Sequence, residues 1–227
     1  MDITWLGQAG LLFENENAKI LVDPYLSDSC AKLNPNSYRR TAIDERYLKI
    51  KPDVIVLTHE HIDHTDPETL AHYLNEDSDV LVLASENAWK KVKAFGGSNN
   101  YVNFNSGTSW TFGNIRFTAV RAEHSDKCAI GVIVDDGEKT YYVTGDTLYN
   151  DEIFKYLPKG IDTVFLPING RGNNMNAKDA ERFAQRVGAV SSVPVHYAMF
   201  DNINPEVFKA ENRLILAPYE KMKGESR

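Results

Sequence analysis

Cysteine is scarce in this chain: two in 227 residues, Cys30 and Cys128, far apart and in no Cys-x-x-Cys pairing. That argues against a disulfide-stapled scaffold and makes a reducing cytoplasm the simplest setting, with both thiols read as structural groups. Basic residues are outnumbered, 25 Lys and Arg against 32 Asp and Glu, for a formal charge of −7. The chain therefore carries no general electrostatic footprint for nucleic acid or for an anionic membrane. Local basic groups are still free to hold an anionic small molecule. No apolar run approaches the ~20 residues that span a bilayer. The opening Met1-Asp-Ile-Thr-Trp-Leu-Gly7 lacks the basic and apolar regions of a signal peptide. Repeats, low-complexity tracts and linkers are also missing, so residues 1–227 read as one domain.

What is present is a series of short apolar runs, each stopped by turn chemistry. Strands are expected at Ile3–Leu6, Gly10–Glu14 and Lys19–Val22, followed by Asp23-Pro24. Residues Leu26 to Arg40, rich in Ser, Asn and Pro, read as a long loop of the kind that carries function. A buried strand follows at Asp53–Thr58. Thr65-Asp-Pro-Glu68 fits a capping box opening a helix to about Asn75. Another strand at Val80–Ala84 leads to a helix near Glu86–Ala94. Hairpins are expected over Ser109–Val120, around a Gly-Asn turn, and over Cys128–Thr144, around Asp136-Gly137. Thr163–Pro167 and Val190–Pro194 are apolar strands. The helix between them, Asn176–Val187, puts Ala180, Phe183, Ala184 and Val187 on one face. A helix near Pro205–Glu211 and a strand at Arg213–Leu216 finish the chain. The pattern predicts an α/β (α+β) fold of two mixed sheets with helices outside.

The chemistry concentrates where strands end. Asp53–Thr58 runs into His59-Glu-His-Ile-Asp-His64, which holds half of the six histidines. Imidazole and carboxylate suit zinc and neighbouring transition metals. His59 and His61, two apart, point the same way in extended backbone, which turns Glu60 away. Asp63 and His64, beyond the turn, can face a second point nearby. Three more strands end in candidates of the same type: His124, Asp146 and His196. Rigid strands fix the geometry of such loops. His72, on the helix after the capping box, reads as a solvated side chain. Asp23 reads as a hydrogen-bonding partner of the metal-bearing loops. Asn169, Arg171 and Asn173 lie in a glycine-rich loop, where Arg offers a planar fork for phosphate or carboxylate and Gly170 and Gly172 allow close backbone approach. Tyr38, Arg39 and Arg40 form a second basic-aromatic cluster, open to two readings: a cap on the site or a contact in a homo-oligomer.

Taken in order, Thr58-His-Glu-His-Ile-Asp-His64, Glu123-His124, Thr144-Gly-Asp-Thr147 and Pro194-Val-His196 resemble the motifs of the metallo-β-lactamase-fold hydrolases. Trp5-Leu-Gly-Gln-Ala-Gly-Leu-Leu-Phe13 and Val22-Asp-Pro-Tyr-Leu-Ser27 resemble that fold's opening. Leu166-Pro-Ile-Asn-Gly-Arg-Gly172 and His196-Tyr-Ala-Met-Phe200 are similar to the L-ascorbate-6-phosphate lactonase-like group. The resemblance implies a four-layer αβ/βα sandwich and two divalent metal ions. One would be held by His59, His61 and His124, the other by Asp63, His64 and His196, with Asp146 bridging. It further implies a water or hydroxide between the metals as nucleophile, oriented or deprotonated by Asp63, attacking an ester, a lactone or a phosphoester. Zinc is the default for the histidine-rich set, and the mixed ligands admit manganese or iron. Asn169 and Arg171 are the expected substrate contacts, for a small anionic molecule. Gln8 stands where many members carry a histidine in Gly-His-Ala. The oxygen-reducing di-iron members carry glutamate at the position of His61. A phosphodiesterase or nuclease on the same fold, and a metal-binding sensor without turnover, are the alternative readings.

Overall fold

The computed structural model describes residues 1–224. Thirteen strands are placed among them: β1 Asp2–Gly7, β2 Gly10–Glu14, β3 Lys19–Val22, β4 Val54–Leu57, β5 Leu81–Ala84, β6 Asn100–Asn103, β7 Ser109–Phe112, β8 Ile115–Arg121, β9 Ile130–Asp135, β10 Thr140–Val143, β11 Thr163–Pro167, β12 Ser191–Val195 and β13 Lys221–Met222. The α-helices are α1 Ser29–Leu33, α2 Pro67–Leu70, α3 Glu86–Val92 and α4 Ala177–Val187. The strands form two mixed sheets, ordered β13-β1-β2-β3-β4-β5-β6 and β12-β11-β10-β9-β8-β7. Each sheet begins with antiparallel hairpins and continues in parallel strands, β3 to β6 in the first and β10 to β12 in the second. The parallel strands β4, β5 and β11 are buried along their whole length, which is why they read as unbroken apolar runs.

The inner faces of the sheets meet in one core. Trp5, Phe13 and Val56 from the first sheet pack with Phe117, Val132 and Phe165 from the second. Phe13 lies edge-on to Tyr141 and Phe165, at 5.5 and 5.9 Å between ring centroids. Leu12, Leu21, Ile55 and Val82 point outward and are covered by Leu70, Ala88 and Val92 from α2 and α3. Helix α4 buries Ala180, Phe183 and Ala184, the face its periodicity predicts. Asn176 caps it by accepting from the Asp179 amide. No described helix is long and apolar enough to cross a membrane, and Cys30 and Cys128 are free thiols.

Several expectations need correction. The helix expected from Thr65 to Asn75 is only Pro67–Leu70, and its N-cap is Asp66, whose carboxylate accepts from the Glu68 and Thr69 amides. The Thr65 hydroxyl is used elsewhere, donating to the His59 carbonyl at 2.7 Å. The Leu26–Arg40 loop contains α1. Strand β6 was not anticipated, because Asn100-Tyr-Val-Asn103 is a half-exposed edge with polar ends. The helix expected over Pro205–Glu211 is a single 3-10 turn at Pro205–Val207. Arg213–Leu216 forms one bridge, from Arg213 to Ser192, rather than a strand. The tail must pass from the β12 edge of one sheet to the β1 edge of the other, so its pairing is short at both ends: Met222 opposite Ile3 and Lys221 opposite Thr4.

Candidate metal centre

The strand ends converge at one edge of the sandwich. The turn after β1 brings Gln8, β3 brings Asp23, and β4 brings Thr58 to His64. The loop after β8 brings His124, β10 brings Asp146, β11 brings Asn169, and β12 brings His196. Gly145 makes the approach of β10 possible. It sits at φ 60°, and a Cβ there would lie 2.7 Å from the Ile130 carbonyl oxygen and 3.0 Å from Thr58 Cβ. Gln8, Asp23 and His196 also hold positive φ, at 51°, 45° and 58°. Each such non-glycine residue costs on the order of 1–3 kcal/mol, a strain typical of functional sites. The cost is offset locally: the His196 amide donates to the Gln8 carbonyl at 2.9 Å, and that carbonyl also accepts from the Trp5 indole at 3.0 Å.

All seven residues expected as ligands come together. One ligand atom from each of His59, His61 and His124 lies within 4.8 Å of the others, and the same holds for Asp63, His64 and His196. Asp146 stands between the groups: Oδ1 is 3.3 Å from His64 Nε2, and Oδ2 is 3.3 Å from His196 Nε2 and 3.9 Å from His124 Nε2. Asp23, His59 and His64 also approach one another closely, but Asp23 is committed to other partners. Its Oδ1 accepts from the Thr58 amide at 2.8 Å, and its Oδ2 accepts from the Thr58 hydroxyl at 2.5 Å and from His64 Nδ1 at 2.7 Å.

These bonds set the imidazole tautomers. With its proton given to Asp23, the Thr58 hydroxyl accepts from His59 Nδ1 at 3.1 Å. The Nδ1 protons of His59 and His64 are thus engaged, and each Nε2 is left facing the centre. The Nε2 atoms of His59 and His64 and the Oδ1 of Asp146 are buried with no hydrogen-bond partner. Buried polar atoms are rarely left so. Orphaned lone pairs of imidazole and carboxylate aimed at a common point fit divalent cations.

The centre is electrostatically uneven. Burial pushes His59 well below the ordinary histidine range, with His64 adding to the effect, and burial lowers His124 as well. His64 and His196 go the other way. Burial opposes their charge, but Asp146, Asp63 and Asp23 hold His64 well above its usual value, and Asp146 and Asp63 push His196 up to about 10. Burial would raise Asp63 and Asp146, but His64 and His196 outweigh it and hold both carboxyls below the usual carboxylate range.

Several neighbours shape the centre without joining either triplet. The Gln8 side-chain amide donates to Asp63 Oδ2 at 2.8 Å and lies 3.1 Å from His196 Nε2. Asn174, buried and not anticipated from the sequence, donates to Asp146 Oδ2 at 2.8 Å while its Oδ1 accepts from the Thr147 amide at 3.0 Å. Asn169, expected at the substrate, has its amide 3.0 Å from His196 Nδ1. Its Oδ1 is otherwise buried without a partner. Exchanging the amide's N and O gives Nδ1–H a carbonyl acceptor and leaves His196 Nε2 free to face the aspartates. Asp126 ties the loops together, accepting from the Glu60 and Cys128 amides and from Asn87. Glu60 does turn away, pairing with Lys91 at 3.0 Å, and His72 is exposed. Arg39 is a buried clamp on the Tyr25 and Leu6 carbonyls and the Tyr219 hydroxyl, while Arg40 lies over the Tyr38 ring and donates to the Met199 carbonyl.

The glycine-rich loop closes one side. The Gly172 carbonyl is 2.9 Å from His124 Nε2. Arg171 is exposed, and its guanidinium has no hydrogen-bond or ion-pair partner among the described residues. It lines a cavity of about 440 Å³ together with Asp63, Asp146, Asn169 and His196.

Residues 18–197 match the family model described as the beta-lactamase superfamily domain. The chain belongs to the metallo-β-lactamase superfamily. Within the superfamily it falls in the UPF0173 metal-dependent hydrolase family. It is 31% identical over 225 residues to the UPF0173 metal-dependent hydrolase of Geobacillus thermodenitrificans, covering 92% of this chain and 91% of the relative. It is 30% identical over 218 residues to that of Exiguobacterium sp., covering 91% and 90%. The fold of this metallo-β-lactamase superfamily member is also that of Igni18, a metallo hydrolase from the archaeon Ignicoccus hospitalis, with a TM-score of 0.77, 20% identity, and coverage of 100% of this chain and 99% of the other.

Proposed function

We propose that this metal-dependent hydrolase holds two divalent ions, one on His59, His61 and His124 and one on Asp63, His64 and His196, with Asp146 shared, and that it cleaves an ester, a lactone or a phosphoester. The observation that carries this reading is the pair of ligand triplets joined by Asp146, with two histidine Nε2 atoms and a carboxylate oxygen buried and without a hydrogen bond. Zinc suits the histidine-rich set, and the added carboxylates also suit manganese or iron. When bound, the ions supply Lewis acidity and bring the pKa of a coordinated water near neutrality.

The chain's own residues do the rest. Asp63, held by the Gln8 amide, orients the attacking water and accepts its proton. Asp23 and Thr58 fix the rings of His64 and His59, Asn169 fixes that of His196, and Asn174 fixes the Asp146 carboxylate, so the ligands are preorganised. Arg171, unpaired at the mouth of the cavity, draws in an anionic group of a small-molecule substrate. The resemblance of Leu166–Gly172 and His196–Phe200 to the lactonase-like group supports a lactonase-like reaction, with a sugar-phosphate lactone as one candidate. The net charge of −7 weighs against polynucleotide cleavage.

The test is metal analysis by mass spectrometry of the purified protein, coupled to a panel of lactones, sugar phosphates and phosphodiesters. Two ions per chain with turnover of one class are expected. Two bound ions with no turnover across the panel would favour a metal-holding sensor instead.

A further inference from the structure

A second cavity meets the same centre, and it differs in character from the first. It has a volume of about 640 Å³ and lies between α1, α2 and α3, with Leu33, Ile62, Leu70, Val92 and Phe95 on its walls. A cavity of this size is within the range that holds small organic molecules. His61 and Asp63 line it and also line the 440 Å³ cavity that contains Arg171, and Leu33 and Ile62 are common to both. Two lobes therefore share a lip made of metal-binding candidates. The polar lobe offers Arg171 together with Asn34, Asn36 and Ser37. The apolar lobe offers hydrocarbon. Its charged wall is neutralised internally, since Lys91 Nζ is 3.0 Å from Glu60 Oε2 and also donates to the Glu60 carbonyl at 2.9 Å. Away from the shared lip, the Lys91–Glu60 pair is the charge this wall presents, and it is internally balanced.

Leu70 and Val92 are floor residues, fully buried by the fold. Leu33 and Phe95 are not. Leu33 is 75% exposed on the short helix α1, and Phe95 is only partly buried. A single exposed leucine is ordinary on a protein surface. One that overhangs two cavities, above the residues expected to run the chemistry, is placed to be covered by a ligand.

We infer that the substrate is an amphipathic ester or lactone, with its aliphatic or aromatic part in the Leu33–Phe95 lobe, its anionic part toward Arg171 and its scissile bond over Asp63. This rests on the hydrolytic reading above. In the reaction the oxygen of water bonds to the carbonyl carbon and the carbon–oxygen single bond breaks. One water proton ends on the departing alkoxide, giving an alcohol, and the acyl part leaves as a carboxylic acid that ionises. Each methylene placed in the lobe adds burial without changing the reacting atoms.

The test uses the metal-loaded full chain in two arms. In the first, calorimetry follows binding of straight-chain carboxylates from acetate to decanoate. Affinity should rise roughly threefold to fourfold per added methylene until the lobe is full, and Leu33→Asp and Phe95→Asp should each flatten that slope. Leu33 is exposed, so its variant remains informative even if the Phe95 variant fails to fold. A flat series, or a slope unchanged in the variants, overturns the proposal. In the second arm, hydrolysis of 4-acyloxybenzoates of increasing acyl length should gain in kcat/KM with each methylene. Hydrolysis indifferent to length would overturn the apolar lobe and leave the hydrolase standing. Length-dependent binding without hydrolysis of these esters or of the lactone panel would support the lobe and overturn the ester and lactone chemistry.

Discussion

The two ligand triplets sit side by side and meet the cost of burial in opposite ways. His59, His61 and His124 include no carboxylate, and burial keeps His59 and His124 neutral by pushing their pKa values down. The Nε2 lone pair of His59 is free for a cation without loss of a proton. Asp63, His64 and His196 are set among three carboxylates, so in the absence of a cation His64 and His196 retain protons as counter-ions. The first triplet holds two histidines kept neutral by burial, while in the second the protons of His64 and His196 balance the surrounding carboxylates. Ligand identity alone therefore does not set the protonation of such a cluster; the charge around the ligands does.

This contrast can be broken or sharpened by experiment. The largest effects should come from two carboxylates, Asp63 of the second triplet and the shared Asp146. Asp63→Asn should lower kcat by roughly 10²–10⁴-fold with unchanged circular dichroism, and near-normal turnover would remove Asp63 from the proton-handling role. Asp146→Ala should reduce metal content in both triplets, whereas His61→Ala should spare the second, as counted by mass spectrometry. If both variants lose the same amount, Asp146 is not shared.

A second effect separates the triplets by pH. In metal-stripped protein, His196 binds its proton more tightly folded than unfolded. Its contribution to stability is complete below about pH 6.5, the ordinary histidine value, and is lost as pH rises toward its folded value of about 10. Thermal melts should show the stripped protein weakening across that window, by up to about 1.4 kcal/mol per pH unit for each excess proton. Metal-loaded protein should be flat there, because a cation replaces the proton. A flat profile in the stripped form would mean that His196 is neutral without metal.

Smaller changes are expected at the supports. Asn174→Ala should weaken metal binding roughly 10–100-fold, as loss of a ligand's hydrogen-bond partner does, with competition against a chelator as the readout. Smallest of all, Arg171→Ala should raise KM for anionic substrates roughly tenfold with little change for neutral ones. Equal effects on both would give Arg171 a structural part only.

The clustering of the seven candidates was legible because strand ends announce themselves: an apolar run that stops at His59, Asp146 or His196 leaves a reactive side chain on a rigid support. The supports themselves were harder to see. Asn174 lies one position beyond Asn173, which drew attention as loop chemistry, and nothing local distinguishes a buried amide under Asp146 from an exposed neighbour. Gln8 was visible as a departure from a histidine pattern, but its bonds to Asp63 and His196 span more than fifty residues of chain. The short tail strand β13 was missed because its pairing is set by how far the chain must travel between sheets rather than by its own composition.

The loop after β11 carries Asn169 against His196, Gly172 against His124 and Asn174 against Asp146, with Arg171 among them. Any insertion, deletion or register change made there to alter what the enzyme accepts would also disturb three of the proposed metal ligands. Leu33 and Phe95 hold none. Diversification of substrate range within this scaffold should therefore run through α1 and the turn after α3, and the glycine-rich loop should tolerate little variation in length.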